Sequence, residues 1–257
     1  MKLLRFAYEQ KTSYGMIKNG MVKEINGSLG NVIDKDYTFS GNTYPLEKIK
    51  LLPSSYPSKV LCLGLNYRSH AEELGLPAPL QPIIFMKPST AVIGHKESIL
   101  YPPQSKRVDY EAELAVIIGK KCYRVDRAQA LDYVVGYSCA NDITARDLQP
   151  KDGQWTYSKS FDTFAPLGPW IETGLDNPES LQVSGYLNGK LVQDGFTADH
   201  VFTVDYLIHY ISHCMTLLPG DVIMTGTPSG IGPMEKGDVF KVSISGIGEL
   251  ENDLKSL

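Results

Sequence analysis

Residues 114–118, LAVII, constrain the fold more than any other stretch, because a strand that is apolar on both faces must be covered on both faces. Immediately before this run stand Glu111 and Glu113, separated by one alanine. Residues two apart on a strand point to the same side, so the two carboxylates lie side by side with backbones roughly 7 Å apart, and Asp109 shares that side. A polar strand end facing water is the ordinary reading of Glu-x-Glu. Here the strand runs straight into a covered core, where an unpaired carboxylate is costly, and a cation is the natural partner. A second strand-like run, residues 133–140, ends on Asn141-Asp142, which brings a third carboxylate to a strand end. Three oxygen ligands with no His or Cys among them suit a hard cation, Mg2+ first, with Mn2+ or Ca2+ as alternatives.

The 257 residues are 42% hydrophobic, enough for one large domain or for a large and a small one. Cys62, Cys122, Cys139 and Cys214 are scattered without CxxC spacing and read as buried thiols of a reducing compartment. The apolar stretch before Glu9 is too short for a signal peptide, and no run approaches a membrane span. The expectation is a soluble cytoplasmic protein with no membrane partner. A net charge of −4 without a basic cluster argues against nucleic acid, since neutralising phosphates needs a local excess of Lys and Arg.

Two units are expected: a small β domain over residues 1–57 and the main body over 58–257. Asn19-Gly20 and Asn188-Gly189 each separate strand-like runs and supply the positive φ angles of a two-residue hairpin turn. LLPSSYPSK, residues 51–59, reads as the linker between the units. Val204, Leu207, Ile208, Ile211 and Met215 form the stripe of one long helix over residues 203–215; His209 and His213 lie off it and read as surface residues. TGTPSGIGP, residues 225–233, lacks both GxxxxGK[ST] and GxGxxG, yet Thr227 and the backbone amides there could line a pocket.

Other candidates carry protons or positive charge. His70 and Glu73 fall three apart on a short helix that Asn66 can cap and Gly75 can end. A histidine oriented by a carboxylate can serve as a general base; the alternative is a surface pair with no role, and a helix this polar could be a mobile flap. Lys87 ends the apolar run of residues 82–87, where it binds an anion or is simply solvated. Arg146, Asp147, Gln149, Lys151, Lys159 and Thr163 fall in a long irregular segment, the kind that carries function. Arg146 and Asp147 could pair with each other, and Lys159 is the better contact for a carboxylate or oxyanion.

GLNYRSHAEE, IIFMKPST, DYEAELAVIIGK, NDITARDLQ, SKSFDTFAPLGP and TGTPSGIGP, in this order, resemble the fumarylacetoacetate hydrolase family, and in particular its short prokaryotic branch, over roughly residues 59–252. The resemblance implies an α+β, predominantly β fold: a mixed β-sandwich roll with few helices, joined here to a small N-terminal β domain, in a homodimer. It implies Mg2+ or Mn2+ held by Glu111, Glu113 and Asp142, with His70 and Glu73 on a lid helix that activates water. It places Lys87, Gln149, Lys159 and Thr163 along the site. The longest members add an aspartate ligand with no equivalent here, so water completes the shell.

Combined with the residues above, this implies hydrolysis of the C–C bond of 2,4-dioxo acids, of acylpyruvate or fumarylpyruvate type, through a metal-bound enolate. In that scheme Lys159 and Gln149 stabilise the oxyanion, and Arg146 and Thr227 contact the anionic substrate. Isomerisation of 2-hydroxyhepta-2,4-diene-1,7-dioate and decarboxylation of oxaloacetate-type acids compete on the same metal site. A non-catalytic metal-binding β module is the alternative of another class.

Overall fold

The computed structural model describes residues 1–150, 153–175 and 177–257. The fold is α+β and predominantly β, as expected. Its largest element is a twelve-stranded sheet whose main path runs Thr38–Pro45, Met21–Asn26, Lys11–Lys18, Lys2–Tyr8, Ala165–Glu172, Val134–Asn141, Ala112–Ile118, Val222–Met224, Val60–Gly64 and Ile83–Lys87. A five-stranded sheet built on Gln182–Leu187, Val239–Ile244 and Gly248–Ser256 and a three-stranded one containing Val108–Tyr110 complete the β structure.

The strand Ala112–Ile118 is buried along its whole length and alternates between two cores. Leu114, Val116 and Ile118 enter a core shared with Val183, Phe240, Val242 and Leu250 of the five-stranded sheet and with Leu207 and Ile211 of the long helix. Ala115 and Ile117 enter another, shared with Leu3, Ala165, Val222 and Met224. The run is apolar on both faces because it is the middle of a sheet covered on both.

Local turn chemistry follows the sequence. Asn19 and Gly20 have φ of 53° and 73°, and Asn188 and Gly189 have φ of 50° and 80°, the left-handed pair that a two-residue hairpin requires. The long helix spans Val204–Cys214 with the expected apolar stripe, and His209 and His213 direct ring nitrogens to the carbonyls of Val125 and His209. Among the described residues no helix is long and apolar enough to cross a membrane.

Three local expectations need correction. The stretch read as a linker is packed: Ser54 and Ser55 are buried, with the Ser54 hydroxyl at 3.1 Å from that of Ser138 and the Ser55 hydroxyl donating to the Gly220 carbonyl. The short helix is Arg68–Glu73 with Tyr67 at its N-cap, while the Asn66 amide is drawn instead to Phe202 and Thr225. Cys214 is exposed, although the other three cysteines are buried. The N-terminal strand Lys2–Tyr8 pairs with Ala165–Glu172, so one sheet runs across the expected boundary between the units. Those N-terminal strands lie at the end of the strand order opposite Val60–Gly64, which leads into the short helix.

Candidate metal centre and active site

The antiparallel register of Ala112–Ile118 with Val134–Asn141 sets Ala112 opposite Asn141 and Glu113 opposite Ala140. Glu111 stands in the break between two strands; its amide donates to the Asn141 side chain and its carbonyl accepts from the Asp142 amide, both at 2.9 Å. Strand pairing therefore brings the third carboxylate onto the first two. One oxygen each of Glu111, Glu113 and Asp142 come within 4.8 Å of one another, and all three residues are buried.

Around this cluster the basic residues are arranged in layers. Lys159, on the one-turn helix Thr156–Lys159, donates to Glu111 Oε2 at 2.9 Å and Asp142 Oδ2 at 2.7 Å. Arg146 reaches Glu111 Oε1, Asp109 Oδ2 and Gln149 Oε1. Thr144 also donates to Glu111 Oε1. Lys87, 1% exposed, lies 2.6 Å from Asp142 Oδ1 and donates to the carbonyls of Ile143 and Phe164. Asp109 takes no part in the carboxylate cluster: Arg107 and Arg146 hold it, so it orients Arg146.

Burial would raise the Glu111 carboxyl, but Lys159, Arg146 and His70 outweigh it and hold the group far below the usual range. Glu113 shifts the other way, raised by burial and then by Asp142 and Glu111. Burial pushes Lys87 below the ordinary lysine value despite Asp142, whereas Asp142 and Glu111 together hold Lys159 above it.

Glu113 tests whether a cation fits. Gly226 N donates to its Oε2 at 2.7 Å, while its Oε1 is buried without a hydrogen-bond partner. A fully buried carboxylate oxygen of this kind calls for a positive partner. The all-oxygen donor set suits Mg2+ or Mn2+ rather than a soft metal. Lys159 holds one oxygen each of Glu111 and Asp142, so a bound cation would share these carboxylates with it.

Above the cluster opens a cavity of about 610 Å3, lined by His70, Glu111, Arg146, Gln149, Lys159 and Thr227 among others. His70 Nδ1 lies 2.8 Å from Glu73 Oε2, and Glu73 Oε1 accepts from Gly230 N at 2.8 Å. Because a carboxylate only accepts, Nδ1 carries the proton and Nε2 is the free nitrogen. The helix is docked here and His70 is buried: Ser69 N donates to Asp199, and Arg68 to the His200 carbonyl.

Of the other expected contacts, Lys87 and Thr163 are not drawn into this lining. Lys87 is fully engaged behind Asp142, and the Thr163 hydroxyl accepts from Leu100 N. Arg146 and Asp147 do not pair; Asp147 accepts from Ser105 and Lys106. Lys151 lies outside the described residues. Gln193 has no local sequence signal. It accepts from Ala112 N and donates to Thr227 Oγ1, which in turn donates to the Ala112 carbonyl, so a residue of a distant hairpin fixes the floor of the site.

Fold and site define a class: a β-rich protein with a buried acidic cluster that could hold a cation beneath a cavity, and a His-Glu pair at its wall. The pattern of the fumarylacetoacetate (FAA) hydrolase C-terminal family matches residues 59–255, and an Rv2993c-like N-terminal pattern matches residues 1–53. The chain belongs to the fumarylacetoacetate hydrolase family. A 2-hydroxyhepta-2,4-diene-1,7-dioate isomerase from Mycobacterium marinum superposes with a TM-score of 0.91 at 39% identity, covering 100% of this chain and 98% of the other. The maleylpyruvate hydrolase from Sphingobium sp. SYK-6, solved with manganese(II) and pyruvate, superposes at 0.83 and 29% identity, covering 100% and 99%. The mitochondrial oxaloacetate tautomerase Fahd2a of Rattus norvegicus is 44% identical over 193 residues, 74% of this chain and 62% of that protein.

Proposed function

We propose that this chain is a divalent-metal-dependent enzyme acting on 2-oxo acids, and that it hydrolyses the C–C bond of 2,4-dioxo acids. The observation that carries the proposal is the Glu73–His70 pair, fixed by Gly230 N, with Nε2 free at a cavity whose floor holds Glu111, Arg146 and Lys159. A divalent cation held by Glu111, Glu113 and Asp142 supplies Lewis-acid polarisation of ligand oxygens when bound.

His70 Nε2 takes a proton from water, and Glu73 stabilises the imidazolium that results. The hydroxide adds to the 4-carbonyl carbon, and its oxyanion is met by Lys159 and Gln149. The C3–C4 bond then breaks, leaving an acid and the enolate of pyruvate, whose C3 takes up a proton. Asp109, Glu111 and Asp142 are met by Arg107, Lys87, Arg146 and Lys159, while Glu113 has no basic partner among the described residues; once ionised it brings the four carboxylates level in charge with the four bases. Adding a divalent ion leaves an excess of positive charge, which favours an anionic ligand and an enolate.

Keto–enol tautomerisation is the second reading. It is favoured by the similarity to the tautomerase and the isomerase, and it needs the same base with no water. A panel assay with Mg2+ or Mn2+ separates the outcomes: acetylpyruvate and fumarylpyruvate yielding two acids support hydrolysis. Enol loss from oxaloacetate without cleavage, or mass-conserving conversion of the heptadienedioate, supports tautomerisation, and CO2 release marks a decarboxylase. Inertness towards all four substrates, with no divalent ion bound, would return the chain to a non-catalytic β module.

A further inference from the structure

Beyond Glu111, Arg146, Lys159, Gln149 and His70 the cavity wall turns apolar, through Leu63, Leu65, Leu74, Leu76, Phe85 and Trp155. Leu74 and Leu76, just past the short helix, are 47% and 49% exposed, so a ligand arm has large apolar surface still to cover. Among the described residues, Arg146 and Lys159 are the Arg and Lys side chains in this lining, and both are already engaged with Glu111. Among the described residues, no further Arg or Lys lines this cavity. A carboxylate carried there would be desolvated without a partner.

Trp155 closes this space. Its ring meets Phe85 edge-on, with centroids 5.4 Å apart and planes at 75°. It also sits close against Gly64, where an added Cβ would come to 2.5 Å from the indole. Behind it is a second cavity of about 660 Å3, bordered by Ile84, Met86 and Met215, and the two cavities share Phe85 and Trp155 in their linings. Phe85 and Trp155 are thus common to two spaces of similar size.

We propose that the non-reacting arm of the substrate is uncharged and apolar, and that Trp155 sets the arm's length by walling off the second cavity. The proposal rests on the oxo-acid reading of the site and adds the substrate class. It sets this chain apart from enzymes for diacids, and it makes Trp155 a specificity-determining residue, not a catalytic one.

The test is binding, measured by calorimetry on the Mg2+-loaded protein with saturated 2-oxo acids. Pyruvate, 2-oxobutanoate, 2-oxopentanoate, 2-oxohexanoate and 2-oxooctanoate give the length series, and 2-oxoglutarate gives the diacid. Each methylene laid on the apolar wall is expected to tighten binding about three- to fourfold until the arm meets Trp155, after which the gain stops. In Trp155→Ala the gain should continue to the longest acid, and in Trp155→Leu it should extend part of the way. 2-Oxoglutarate should bind at least about tenfold more weakly than 2-oxopentanoate.

Diacid binding equal to or tighter than that of the five-carbon monoacid overturns the apolar arm. A length limit unchanged in whichever Trp155 variant unfolds with a wild-type midpoint overturns the role of Trp155. If none of the acids binds with Mg2+ or Mn2+, the oxo-acid reading itself falls, and this inference with it.

Discussion

At the scale of single residues, the chemistry of the site divides between a group that moves a proton and groups that hold charge. His70→Ala removes the free Nε2 and should lower kcat for the substrate that turns over by about 10²- to 10⁴-fold with KM little changed. A loss of less than about threefold in steady-state assays would assign the base elsewhere. Glu113→Gln tests the cation site separately. Its carboxylate is raised by burial and by Asp142 and Glu111, so the amide should leave the metal-free protein at least as stable. Calorimetry should show Mg2+ and Mn2+ binding weakened by more than the roughly 10- to 100-fold that loss of an outer-shell partner produces. Undiminished metal affinity would remove Glu113 from the ligand set. These residues were legible because their partners are near in sequence or at matched strand ends: Glu111 with Glu113, His70 with Glu73, Asp142 after its strand. The partners of Lys87 and Thr163, Asp142 and Leu100 N, come from other elements and were not legible in the same way. Gln193 was invisible for the same reason.

At the scale of elements, hairpins were readable from Asn-Gly pairs, since the constraint is a local φ requirement. What joins elements was not readable, and Glu24 shows why. Sitting on Met21–Asn26 and 2% exposed, it accepts from Lys11 at 2.6 Å, Ser13 at 2.6 Å, Ser40 at 2.9 Å and Asn42 at 2.7 Å, residues of the two flanking strands. Burial raises this carboxyl, but those four donors outweigh it and hold it down at about 2. A carboxyl whose folded value is depressed contributes stability that is fully present above its unfolded value, roughly 4.3. That stability is lost as pH falls from there through about 2. Glu24→Gln should therefore destabilise the protein by about 1.5–3 kcal/mol at pH 7, the range for hydrogen bonds to a charged group. The difference from wild type should shrink steadily between roughly pH 4.3 and pH 2. Urea denaturation at a series of pH values measures it, and a difference independent of pH would show that the charge of Glu24 does not matter.

At the scale of the whole molecule, the covered central strand was legible from residues 114–118, whereas the continuity of the large sheet was not. A strand pairing between the first residues and residues 165–172 leaves no periodicity in either segment. Its consequence is that the N-terminal strands are part of the body. Leu3, Met16, Ile25, Leu29 and Val32 are all buried in the core that also holds Ile117, Ala165 and Ile171. At about 1.5–3 kcal/mol for each large apolar side chain buried, their combined contribution is on the order of 10 kcal/mol. That is comparable with the whole net stability of an ordinary domain, about 5–15 kcal/mol. Removing residues 1–57 would also strip the partner from Ala165–Glu172 and leave an open edge beside an uncovered apolar face, an arrangement that promotes aggregation. Residues 58–257 produced alone should therefore be insoluble or lack a cooperative thermal transition, even though every residue assigned here to metal and proton transfer is retained. Size-exclusion chromatography and calorimetric unfolding decide the matter: a soluble fragment with a wild-type melting temperature would mean that the N-terminal strands are an independent appendage to the sheet.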